Sequence, residues 1–186
     1  MIIQFEVALP IFQKRYKKIR AYYGPPENLV TLTTRKFRLT DEAVYEHLKH
    51  DIKEWKAKVL VLDPWYFLQE GSENETEQVM VIVRFLDSLC EELGLSLILI
   101  HHTRKSVTHQ GRKVSMGMQD IRGSSVLVGW PDSIMLLTAA KKGLFLQSWL
   151  RNRDGQLEPI ALRWSLPEEN MPPIVPADIE VSLEEI

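Results

Sequence analysis

Three features of the sequence predict an α/β fold with a mostly parallel central sheet flanked by helices and a C-terminal β-hairpin. Short apolar runs, IIQF at 2–5, VLVL at 59–62 and LILI at 97–100, alternate with longer stretches of helical period. Each run ends abruptly in polar chemistry, at Glu6, at Asp63 and at His101–His102. Near the end of the chain, LFLQSWL and EPIALRW flank RNRDGQ, whose Asp-Gly suits a tight turn between paired strands.

The elements follow in order. IIQF is a strand ending at Glu6. Pro10 suits the first turn of a helix that runs to about residue 22 and stops at Gly-Pro-Pro. NLVTLT reads as a strand. Thr40 is the expected cap of a helix over 41–56, in which Val44, Leu48, Ile52 and Trp55 recur at helical spacing. VLVL, an unbroken apolar run, has the pattern of a strand covered on both faces. Asn74 is the expected cap of a helix over 75–93, where Val79, Ile82, Val83, Leu86, Leu89, Cys90 and Leu93 form one stripe and Gly94 ends it. LILI is the next buried strand. A polar, glycine-containing loop over 103–120, a short apolar helix at 124–130 and a strand SIMLL at 133–137 lead into the hairpin. Residues 1–166 read as one body, and 167–186, acidic and proline-containing, as a disordered or loosely attached tail.

Composition narrows the function classes. The chain has 186 residues, 45% hydrophobic and 26% charged, as in an ordinary soluble globular domain with a real core. It contains no apolar stretch of membrane-spanning length and no signal-peptide pattern, so a cytoplasmic protein without a membrane partner is expected. One cysteine, Cys90, excludes an intrachain disulfide and a four-cysteine zinc site, and its place on an apolar stripe reads as a buried, inert thiol. The net charge of −2 is unevenly spread. Six of the 25 acidic residues lie in 167–186, leaving 19 against 23 basic ones in 1–166. The basic clusters at 13–20 and 103–122 are either solvated surface or a place for phosphates.

In open parallel sheets ligands bind beyond the carboxyl ends of the strands, which gathers Glu6, Asp63, His101 and His102 along one edge. Asp63 closes an apolar run with a carboxylate, the form of a Walker B strand, in which the aspartate orients magnesium through its water shell. An aspartate that merely caps a strand-to-helix turn has the same local pattern. His101 and His102 are adjacent, and adjacent strand residues point to opposite faces, so a shared zinc ion is disfavoured; one as a polar sensor and the other packing fits better. A metal-dependent hydrolase using His101, His102 and Asp63 remains a minor alternative. The serine-hydrolase elbow Gly-x-Ser-x-Gly is not present.

MIIQFEVALPIFQKRYKKI, KVLVLDPWYFLQEGSENE, LSLILIHHTRKS, DIRGSSVLVGWPDSIMLL and WLRNRDGQLEPIALRW occur in the order of a RecA-like motor core. Over about residues 1–165 the chain resembles the RepA-type hexameric plasmid helicases and related phage or mobile-element ATPases, with DnaB-type replicative helicases next. The resemblance implies a RecA-like fold, ATP and Mg2+ as the parent family's cofactors, single-stranded DNA as a partner and assembly into a homo-oligomeric ring, possible as a hexamer. It also implies roles. Glu6 matches the glutamate that polarises the attacking water, Asp63 the Walker B aspartate, and His102 the sensor that reports the γ-phosphate to the DNA-binding loops. Arg151 and Arg153 match a pair that reaches the neighbouring subunit's nucleotide. Arg104, Lys105, Arg112, Lys113, Arg122, Gly123 and Ser124 align with the segment that holds single-strand phosphates, by charge and by backbone N–H donation.

The chain departs from this pattern at one point. It contains no Gly-Lys pair, and therefore no Gly-x-x-x-x-Gly-Lys-Ser/Thr phosphate cradle. The P-loop strand and helix are expected to be absent from it, so that Asp63 meets magnesium only if nucleotide binds by other means, and the chain has no working cofactor. In the family's sheet the P-loop strand lies between those matching LILI and SIMLL. Its loss is expected to leave a gap, to make the two pair directly, or to leave a place for a strand from another chain. Two functions follow: a helicase-type ATPase core inactive as it stands, or a non-catalytic nucleic-acid-binding or assembly module on the same scaffold.

Overall fold

In the computed structural model, β1 (Ile2–Gln4) lies between β2 (Thr31–Thr33) and β3 (Val59–Asp63), and β3 pairs on its other side with β4 (Ser96–Leu99). All three pairings are parallel. The structure describes residues 1–35, 37–68, 75–103, 108–109, 112–113, 121, 123–140, 143–152, 157–165 and 174–177. They divide into two compact units. The first comprises Met1–Lys14, Pro26–Thr103 and Arg122–Val126; the second comprises Arg15–Pro25, Arg104–Ile121 and Leu127–Ile186.

In the first unit, α2 (Glu42–Glu54) and α3 (Thr76–Leu93) supply the helical side of the core. Ile3, Leu60 and Leu62 of the sheet are fully buried, as are Val79, Leu86 and Leu89 of α3, while Leu48 and Ile52 of α2 are nearly so. Val44 and Leu48 of α2 border the same cavity as Ile3 and Leu32, so α2 covers that face of the sheet. α3 packs beside α2, with the Tyr45 and Phe85 rings 5.2 Å apart and Lys49 Nζ 2.7 Å from a Glu92 carboxylate oxygen.

The other face of the sheet is open along β3 and β4. Val59, Ile98 and Ile100 are each more than 40% exposed, and Val61 is half-buried. The apolar run at 59–62 is therefore covered on one face, not on both. An unbroken apolar run shows that both faces of a strand tolerate burial, but coverage depends on which elements arrive there.

Local chemistry explains the helix ends. Asp41, not Thr40, caps α2: its Oδ1 accepts from the Ala43 and Val44 N–H groups at 2.9 and 3.4 Å. Trp55 stands at the C-cap and is 58% exposed, outside the apolar stripe it was expected to join. Glu75 occupies the N-cap position of α3, and Asn74 lies outside the described residues. Gly94 ends α3 at φ 60°, a left-handed conformation that glycine adopts without a Cβ penalty. Cys90 is half-buried, and burial, with Asp87 adding, raises its thiol pKa, in keeping with an inert thiol.

The second unit is built on an antiparallel sheet ordered β10-β9-β8-β7, from β7 (Ser133–Ala140), β8 (Gly143–Leu150), β9 (Ile160–Trp164) and β10 (Ile174–Pro176). The predicted pairing of LFLQSWL with EPIALRW is present as β8 with β9. SIMLL is the start of a longer strand, because β7 continues to Ala140 in register with β8 back to Gly143. β10 pairs with β9, so three residues of the acidic tail belong to the sheet, with the Ala177 N–H donating to the Ala161 carbonyl at 2.9 Å. Within 103–120, β5 (Thr108–His109) and β6 (Arg112–Lys113) form a two-stranded ribbon. Two helices, α1 (Leu9–Tyr23), with no buried residue, and the single turn α4 (Val126–Gly129), pass from one unit to the other. Among the described residues β4 and β7 belong to separate sheets.

Two substitutions test these local accounts. A Cβ on Gly143 would collide with the Leu162 carbonyl oxygen of the neighbouring strand, and backbone cannot swing aside as a side chain can. Gly143→Ala is expected to destabilise the second unit by about 1–3 kcal/mol, read as a lower denaturation midpoint. Asp41→Ala removes the α2 cap and is expected to cost about 1 kcal/mol by the same measurement.

Candidate active site

Parallel pairing brings the carboxyl ends of β1, β3 and β4 to one edge of the sheet. The register matches Gln4 with Asp63 and Leu62 with Leu99. Backbone bonds carry the alignment past the strand ends. The Phe5 N–H donates to the Asp63 carbonyl at 2.8 Å, the Ile100 N–H to the Leu62 carbonyl at 2.9 Å, and the Trp65 N–H to the Ile100 carbonyl at 2.8 Å. Glu6, Asp63 and His101–His102 each stand one or two residues beyond or at these pinned positions.

Glu6 and His102 meet there. His102 Nε2 lies 3.5 Å from Glu6 Oε2, and both side chains are 55% exposed. Water reaches the pair, and the carboxylate is an acceptor within reach of a proton on the imidazole. His101 is half-buried while His102 is exposed, so the two adjacent histidines occupy different surroundings. Asp63 is half-buried; the Asp63–Pro64 peptide is cis, and Pro64 and Trp65 are buried behind it. Among the described residues, His101, His102 and Asp63 are not one of the groups whose donor atoms all lie within 4.8 Å of one another.

A residue that the sequence reading passed over holds this edge in shape. Gln4 is 1% exposed, and its Nε2 donates to the Val7 carbonyl at 2.6 Å and to Thr33 Oγ1 at 2.9 Å, while its Oε1 accepts from the Val7 N–H at 2.8 Å. The amide thus clamps both ends of the short turn that carries Glu6. Arg35 Nη2 adds a donation to the Glu6 carbonyl at 3.4 Å. The available signal was a glutamine inside an apolar strand, since a buried amide demands several partners.

The remaining predicted residues are scattered. Ser124 is 6% exposed, and its hydroxyl pairs with Thr76 Oγ1 at 3.2 Å and accepts from the Val126 N–H at 3.3 Å, so that side chain serves the start of α3. Gly123 takes a left-handed φ of 90° beside it. Arg112 and Lys113 form β6. Arg151 is exposed at the end of β8 in the second unit, its N–H donating to the Asp132 carbonyl at 2.8 Å. Arg104, Lys105, Arg122 and Arg153 lie outside the described residues.

A paired carboxylate and imidazole, with a second carboxylate one strand away, can orient a water molecule, accept its proton and hold the water shell of a divalent cation. Residues 1–107 match the AAA domain family. A solved ATPase domain is similar in fold, with a TM-score of 0.66 at 15% identity over 91% of this chain and 71% of that one. The RecA-like fold expected from the sequence is therefore present. A KaiC-like protein, PH0186 from Pyrococcus horikoshii OT3, aligns over 95% of this chain and 75% of its own at 13% identity, with a TM-score of 0.46. No curated protein matches the sequence.

Removing the Gln4 amide leaves the Val7 backbone and the Thr33 hydroxyl without their partners. Gln4→Ala is expected to cost about 1–3 kcal/mol in denaturant unfolding, and Gln4→Glu to restore only part of it because a carboxylate cannot donate to the Val7 carbonyl.

Proposed function

The chain belongs to the AAA domain family, and on that premise we propose that it is a helicase-type ATPase core whose parent activity couples ATP hydrolysis to movement on single-stranded DNA. The observation that carries this reading is the Glu6–His102 pair at 3.5 Å on the sheet edge that also bears Asp63. Glu6 would hold the proton of an attacking water. His102, facing Glu6, would register a change of charge beside it and pass it to the segment 103–122 that follows directly in the chain. Asp63 and Glu6 fit the water shell of Mg2+, and nucleotide when bound would supply the phosphoryl group. The triphosphate itself finds no cradle in these 186 residues, which contain no Gly-Lys pair. The chain alone is accordingly inactive in hydrolysis.

Arg112 and Lys113 on the β5–β6 ribbon, together with Arg104, Lys105, Arg122 and the Gly123 and Ser124 amides, form the single-strand contact in this reading. Arg151 and Arg153 act in trans on a neighbouring copy in a ring. A cytoplasmic setting suits a DNA-bound motor part. Among the described residues no helix is long and apolar enough to cross a membrane. A second reading, a nucleic-acid-binding or assembly module without catalysis, is favoured by the missing Gly-Lys motif and needs neither Glu6 nor the paired arginines.

Two titrations test the proposal. Calorimetry with a non-hydrolysable ATP analogue and Mg2+ is expected to give no binding by the chain alone; micromolar binding weakened by Asp63→Asn would mean the phosphates have another cradle. Single-stranded DNA is expected to bind with salt-dependent affinity, and Arg112→Ala with Lys113→Ala to flatten the logarithmic salt slope by about 1.4, roughly 0.7 per lost phosphate contact. An unchanged slope would remove the ribbon from the interface, and no binding at low salt would sink the DNA-binding reading.

A further inference from the structure

α2 carries groups able to ligate a cation at positions 47, 50, 51 and 54. At about 100° per residue, these offsets of three, four and seven fall on a single stripe of the helix. His50 Nδ1 lies 3.6 Å from Asp51 Oδ1 and 3.8 Å from Glu54 Oε2. The second Asp51 oxygen, Oδ2, lies 3.6 Å from His47 Nε2. Donor atoms of His50, Asp51 and Glu54 all stand within 4.8 Å of one another. The His47 and His50 rings are stacked, 6.4 Å between centroids and 8° from parallel.

At 3.6–3.8 Å these separations are too long for hydrogen bonds. They are close to the spacing of ligands around an ion. Donors 2.0–2.1 Å from a tetrahedral Zn2+ stand roughly 3.3 Å apart, so His50 closes on each carboxylate by a few tenths of an ångström, while Asp51 and Glu54, within 4.8 Å of each other, close by at most about 1.5 Å. Exposed side chains make such a movement freely, and the His50 side chain is 71% and the Glu54 side chain 60% exposed. The backbone beneath them is firm, because Asp41 caps the helix and Leu48 and Ile52 anchor its opposite side in the core. Two lysines of the same helix are turned elsewhere: Lys49 and Lys53 reach Glu92 at 2.7 and 3.2 Å. The stripe therefore offers two carboxylates and an imidazole nitrogen to a cation.

We propose that this stripe binds one divalent transition-metal ion of the Zn2+, Ni2+ or Co2+ class. His50, Asp51 and Glu54 are the ligands, and His47 stands 3.6 Å from the second oxygen of Asp51. Imidazole selects such ions over Mg2+ and Ca2+, which take oxygen donors. Water fills the remaining positions at so exposed a site. The site is separate from the Glu6–His102 edge and does not depend on the proposed ATPase reading.

Calorimetric titration of the metal-free chain with Zn2+ at pH 7.5, paired with the visible absorption of the Co2+ form, tests this. One equivalent is expected to bind, at least tenfold more weakly in His50→Ala and in Glu54→Gln, with unchanged far-ultraviolet circular dichroism showing that α2 is intact. Undiminished affinity in both variants overturns the proposal, as does a lack of binding by the unaltered chain at millimolar Zn2+. Loss of binding in His102→Ala, with His50→Ala unaffected, also overturns it by assigning the ion to the Glu6–His102 edge.

Discussion

The parallel register of β1, β3 and β4 is the constraint on which the rest of the first unit depends. Matching Gln4 with Asp63 and Leu62 with Leu99 fixes where each strand stops relative to its neighbours. Because parallel strands all end at the same side of a sheet, the polar residues that terminate them become neighbours without any contact specified between them in sequence. A slip of one residue in β1 would turn Ile3 away from the core and carry Glu6 to the other face. Burial of Ile3, Leu60 and Leu62 thus holds the chemistry at the edge as well as the core beneath it.

Gln4 ties this register to the turn that follows. Its side chain faces the opposite way from Ile3, yet it is as thoroughly buried, and it satisfies both backbone groups of Val7. Fully satisfied amides in such places restrict a loop to one conformation, since any other would strand buried donors and acceptors. Glu6 is therefore presented by a rigid turn, while its own carboxylate stays accessible to water and to His102. An edge of this kind suits a carboxylate that must meet a ligand from outside without reorganising.

Charge is divided between the sides of α2. Lys49 and Lys53 join it to Glu92 of α3; Glu92 raises the Lys49 pKa, and Lys49, with Lys53 adding, lowers that of the Glu92 carboxylate. The Lys49 side chain is 16% and that of Glu92 43% exposed, so water still screens the pair from the Glu92 side, and it orients the helices more than it stabilises them. The opposite side of α2 is left with His47, His50, Asp51 and Glu54, whose mutual spacing comes from the helix alone.

The sequence by itself determined the elements and their chemistry-bearing ends. Apolar runs cut off by Glu6, Asp63 and His101–His102 predict strands that stop at a site, and the stripe from Val79 to Leu89 predicts α3, because strand and helix periodicities are local properties of side-chain order. It also announced the antiparallel pairing of β8 with β9. Only the tertiary structure decided which face of β3 is covered, that Trp55 stands outside the core, that SIMLL leads an antiparallel sheet, and that a few residues of the acidic tail extend it. It alone revealed Gln4 as the clamp behind Glu6 and the pairing of His102 with that carboxylate. The reason is one of range. Periodicity reports which residues of one element resemble each other, whereas burial and partnership depend on segments dozens of residues away arriving at a particular face, and nothing within a short window of sequence encodes that arrival.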